Sequence, residues 1–119
     1  MLAAAFACGS EEPEDGRCTE DLAFTITPGI NPTFAWTPNC TIAQLRVIRN
    51  STDEEVWSFV ASSNSVSPAV TYGQVPIGAD ETHENEVLLF GQEYTVRVAV
   101  LDPDEGLLLV AGDATFVPN

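Results

Sequence analysis

Lysine is missing from this chain, and its only cations are four arginines, Arg17, Arg46, Arg49 and Arg97, against 18 acidic residues. The resulting net charge of −14 repels phosphate, which makes nucleic acid and anionic lipid headgroups poor partners. Histidine is nearly missing too. His83 stands alone and no Cys-x-x-Cys pair accompanies it, so a structural zinc site lacks ligands. No run of 18 apolar residues occurs, so nothing here spans a membrane as a helix. Neither a glycine-rich phosphate loop nor a Gly-x-Ser-x-Gly elbow is present, and His83-Glu84 lacks the second histidine of a metalloprotease helix. A serine nucleophile would have only His83 as its base. The chain is therefore expected not to be an enzyme and to need no cofactor.

What is present is a period of two. At 119 residues there is room for one domain. Leu22, Phe24 and Ile26 alternate with Ala23, Thr25 and Thr27, and Tyr94, Val96, Val98 and Val100 alternate with Thr95, Arg97 and Ala99. Proline and glycine punctuate the runs, at Pro28-Gly29, Pro38, Pro68, Gly91 and Pro103 through Gly106. Strands are predicted over 22–27, 33–37, 42–49, 56–61, 69–72, 87–89, 93–101 and 107–117, with no amphipathic helix and no internal repeat. Seven or eight short strands must stack as an antiparallel β-sandwich, because a single sheet would leave one apolar face wet.

Two stretches resemble a known family. Leu88-Leu89-Phe90-Gly91-Gln92-Glu93-Tyr94 running into an alternating strand is similar to the Leu-x-x-Gly-x-x-Tyr signature of fibronectin type III domains. Phe34-Ala35-Trp36-Thr37-Pro38 resembles the second strand of that family. The resemblance covers about residues 22–117 and implies an immunoglobulin-like sandwich. In it Trp36 sits at the heart of the core, and Tyr94 tucks its ring inward and bonds its hydroxyl to nearby backbone, with Leu88 and Gly91 completing the signature. About function it implies little, since this fold serves adhesion, recognition and spacing alike.

The first eight residues, Met-Leu-Ala-Ala-Ala-Phe-Ala-Cys, followed by Gly9-Ser10, resemble the end of a bacterial lipoprotein signal peptide. That resemblance implies cleavage before Cys8, lipid on Cys8, and an address outside the cytoplasm. Gly9 in place of aspartate fits the pattern sent to an outer membrane or cell surface. With Cys8 so used, Cys18 and Cys40 remain, and export permits them to pair as a disulfide; two free thiols are the alternative. Residues 9–21 contain no large apolar side chain and read as an acidic flexible stalk, ahead of a sandwich over 22–119.

Weaker signals remain. The acidic stretch Asp80-Glu81-Thr82-His83-Glu84-Asn85-Glu86 reads as a solvated loop, with calcium as the alternative, and Asp102 to Gly106 reads as a tight turn. Trp57 and Phe59 suit either a core or a sugar-gripping face. The expected function is a non-catalytic, lipid-anchored module that binds a protein or glycan. The alternative is a spacer or self-associating surface subunit whose contact with membrane is only through Cys8.

Overall fold

The alternation at Tyr94, Val96 and Val98 puts three apolar side chains on one face of a strand, and such a face needs a second layer against it. The computed structural model describes residues 16–19, 22–102 and 104–119, and it supplies that layer. Among the described residues there are eight strands: β1 Ala23–Ile26, β2 Thr33–Thr37, β3 Gln44–Arg49, β4 Glu54–Ala61, β5 Val70–Thr71, β6 Ala79–His83, β7 Tyr94–Leu101 and β8 Leu108–Phe116. They form two antiparallel sheets, one ordered β1-β2-β5 and the other β6-β4-β3-β7-β8. The protein is an all-β sandwich, with no helix among the described residues.

Its core lies where the inward faces meet. Phe34 and Trp36 of β2 face Leu45 and Val47 of β3, Trp57 and Phe59 of β4, and Tyr94, Val96 and Val98 of β7, all of them buried. Aromatic rings bind the layers edge to face: Trp57 lies 5.2 Å from Tyr72 and Phe34 lies 5.4 Å from Phe116, while Trp57 and Phe59, 5.3 Å apart, pack side by side on β4. Each buried aromatic removes roughly 150–250 Å² from water, a gross contribution of about 4–6 kcal/mol. At the closing side of the sandwich, β8 approaches β1 through Gly112. A Cβ there would stand 3.1 Å from Leu22 Cβ, a tight contact that would push the start of β1 outward by a few tenths of an ångström.

Cys18 and Cys40 form a disulfide, with Cα atoms 4.9 Å apart. Within the stretch expected as a stalk, Gly16 to Thr19 lie against the sandwich. The Cys18 amide donates to Thr41 O at 2.8 Å, the Thr41 amide donates to Gly16 O at 3.0 Å, and Cys18 is 1% exposed. The bridge and these hydrogen bonds hold a segment that has no apolar side chain beyond Cys18 to hold it.

One strand lies elsewhere than predicted. Residues 87–89 form no strand; the sixth strand is Ala79–His83, inside the acidic stretch. The apolar triplet misleads because only Leu88 points inward (2% exposed), while Val87 and Leu89 are 72% and 50% exposed. The acidic residues pair because β4 is long and has a free edge to offer, so main-chain bonding rather than side-chain burial makes β6. Glu81 also accepts the indole N–H of Trp57 at 2.9 Å, which satisfies a donor that the core would otherwise strand.

Candidate functional site

The signature residues serve the interior. Tyr94 is fully buried, and its hydroxyl accepts the Leu89 N–H at 3.0 Å, folding the 84–93 connection back on itself. Gly91 turns that corner at φ 83°, a conformation that side chains resist. Trp36 is 3% exposed and donates its indole N–H to Cys40 O at 3.0 Å, so the core tryptophan and the disulfide are fastened to the same stretch of backbone. Trp57 and Phe59 are fully buried, which removes them from any sugar-gripping face. Cys8, the residue expected to carry lipid, lies outside the described residues.

The acidic stretch is taken apart by the strand it forms. Side chains alternate along β6, so Asp80 and Glu81 point to opposite faces. Glu86 is drawn toward His83 Nε2 at 3.0 Å and Arg49 Nη2 at 3.6 Å. Among the described residues, no three His, Cys, Asp or Glu side chains converge as metal ligands. Asp102 and Gly106 close the hairpin turn, with Asp102 Oδ1 accepting the Asp104 N–H at 2.9 Å and the Gly106 N–H donating to Asp102 O at 2.8 Å.

The outward face of the large sheet is charged at its middle. Arg46 of β3 stands directly opposite Arg97 of β7, an arrangement that repels unless each charge finds a partner. Glu55 sits 3.2 Å from Arg46, and Asp113 of β8 sits 3.4 Å from Arg97. Beside them, Thr95 Oγ1 donates to Asn50 Oδ1 at 2.7 Å and Asn50 Nδ2 donates to Glu93 at 2.9 Å. Polar groups here are matched to one another and leave little to offer a ligand.

The tip of the β7–β8 hairpin differs. Leu107, Leu108, Leu109 and Val110 are 55%, 41%, 48% and 57% exposed, four successive apolar side chains turned to water. Alternation places Leu108 and Val110 on one face and Leu107 and Leu109 on the other. A bulge explains why the second sheet leaves them uncovered: Gly112 opposes Val98 and Val110 opposes Ala99, so Ala111 is an extra residue that bends the strand. At the bulge, Leu109, Val110 and Ala111 border a groove whose other walls are Val100 and the segment Arg17 to Thr19. The local pattern predicts an ordinary last strand over 107–117. The signal for a surface was there, in four apolar residues without the alternation that a half-buried strand shows.

Compared with known proteins, the chain matches no family model, no curated protein and no solved structure.

Proposed function

We propose that this protein is a non-catalytic interaction module, held outside the cytoplasm by lipid on Cys8, that binds a partner protein through the apolar tip of β8. The observation that carries the reading is the exposure of Leu107 to Val110 on a chain whose charge is −14. A contiguous apolar strip costs solubility and is kept where a partner covers it. A protein suits this surface better than a glycan, since the large aromatics Trp36, Trp57, Tyr72 and Tyr94 are buried.

Several features support the resemblance to fibronectin type III domains: the split of β1, β2 and β5 from the remaining strands, the inward Trp36, and the Tyr94 hydroxyl bonded to backbone five residues upstream. The Cys18–Cys40 bridge is compatible with an oxidising compartment, and the residues around Cys8 support the anchor. One further observation favours self-association as a second reading. Val87, Leu89, Phe90 and Val117 form a second exposed apolar group at the other end of the β7–β8 ladder, and two apolar poles permit head-to-tail contact.

The test uses the full chain behind a complete export signal in bacteria. Wild-type protein is expected in the detergent phase, and Cys8→Ser in the aqueous phase. Crosslinking in the native envelope is expected to trap one partner protein with wild type and to lose it with the double variant Leu108→Ser/Val110→Ser. Equal trapping by that variant overturns the binding surface. A ladder of self-crosslinked species in place of a partner selects the second reading.

A further inference from the structure

Two open sheets have four edges, and an exposed edge strand presents unpaired N–H and C=O groups to any other strand. Three of these edges carry a device against that. On the small sheet, β5 is two residues long, and β1 is four residues long, with its Phe24 and the preceding Leu22 packed toward β8. On the large sheet, β6 bears Asp80, Glu81 and His83. The fourth edge, β8, is nine residues long and, among the described residues, pairs as a strand with β7 alone; from Leu107 to Gly112 the chain carries neither charge nor proline.

The apolar residues on this edge are exposed on both faces of the strand. A partner lying on one face of the sheet would cover Leu108 and Val110 or Leu107 and Leu109, but not both pairs. A strand added in the plane of the sheet places side chains beside both pairs at once and satisfies the free main-chain groups as well. Charge then selects among possible strands. The strip is bracketed by Asp104 and Glu105 before it and Asp113 after it, and the molecule as a whole is strongly acidic. A second copy brings a further −14 to the contact and no lysine, whereas a segment with basic ends meets the bracketing carboxylates.

We infer that the outer edge of β8 takes up an extended apolar segment of a partner protein, flanked by arginine or lysine, as a sixth strand of the large sheet. The inference rests on the interaction-module reading above and specifies its geometry. Affinity comes from main-chain hydrogen bonds along Leu107 to Gly112. Selectivity comes from the apolar side chains and from the acidic brackets.

The probe is a short synthetic peptide of alternating valine and threonine with two arginines at each end, added to the isotopically labelled full chain. Amide hydrogen exchange is expected to slow at every second residue between Leu107 and Asp113, because only alternate N–H groups face the open edge. N-methylation of one alternate set of peptide residues is expected to weaken binding by tenfold or more, and N-methylation of the other set to leave it nearly unchanged. Replacing the arginines with glutamates, or moving from about 0.05 M to about 0.5 M NaCl, is expected to weaken binding several-fold. Leu108→Ser/Leu109→Ser is expected to lose the peptide while keeping its melting temperature within a few degrees. Equal sensitivity to both methylation patterns overturns strand addition in favour of docking on a face. Protection of the same amides without peptide, together with a dimer mass, overturns it in favour of a second copy. If no peptide binds while envelope crosslinking still depends on Leu108 and Val110, strand addition fails and the module reading stands. If both fail, both readings fall.

Discussion

Tyr72 shows how a single side chain joins the two sheets. It follows the short strand β5, reaches the interior at 3% exposure, and directs its hydroxyl at Glu86 O, 2.6 Å away, and at Val56 O, 3.2 Å away. Burial holds the Tyr72 hydroxyl well above the ordinary tyrosine range, because the phenolate would lose its hydration. The folded state thus keeps this proton more tightly than the unfolded chain. Its stabilising effect is complete below about pH 10, where the unfolded tyrosine titrates, and is lost progressively as pH rises above that value. Urea midpoints measured at pH 8, 10 and 11 are expected to hold and then fall in wild type. Tyr72→Phe is expected to be less stable by about 1–2 kcal/mol at pH 8 and to fall less steeply above pH 10. Parallel slopes in the two proteins would remove Tyr72 from the alkaline transition.

At the scale of elements, the disulfide and the β8 bulge each settle where a segment goes. Gly16 to Thr19 contribute almost no apolar surface beyond Cys18, yet they lie in parallel register beside Thr41. The bridge closes a separation of 22 residues, and cross-linking a loop of that size stabilises by roughly 3 kcal/mol, mainly by restricting the unfolded chain. Cys18→Ala/Cys40→Ala is expected to fold with its midpoint lowered by about that amount. The Trp36 fluorescence environment is expected to loosen as well, since Cys40 O holds the indole. A loss below about 0.5 kcal/mol would show that the neighbouring hydrogen bonds hold the segment unaided. β6 illustrates the opposite balance, a strand with no apolar face that forms because β4 has main-chain groups to pair.

For the whole molecule the dominating quantity is charge. Fourteen excess negative charges repel one another in the folded state, and the Arg46–Glu55 and Arg97–Asp113 pairs return little because they are partly exposed. Raising ionic strength from about 0.01 M to about 1 M shrinks the screening length from about 30 Å to about 3 Å. Melting temperature is expected to rise with salt by a few degrees, on the order of 1 kcal/mol in stability. A fall would mean that the arginine pairs outweigh the repulsion.

Fold class is legible in the residues alone. Period-two alternation in β7, the proline and glycine punctuation and the absence of a helical stripe leave a sandwich as the way to bury both faces, because side-chain direction along a strand is a local property. The disulfide was less fully legible: the lipoprotein resemblance implies a Cys18–Cys40 pair and leaves two free thiols as the alternative, and the bridge itself is seen only in the structure. Only the tertiary structure decided which apolar residues are spared burial. Leu88 and Leu109 are alike in sequence, yet one is 2% exposed and the other 48%, because the 84–93 connection crosses the open end of the core while the bulge at Ala111 carries the hairpin tip past the second sheet. The strand at Ala79–His83 was equally out of reach of local pattern. Its cause lies in the unpaired edge of β4, and an edge exists only once the other strands have taken their order.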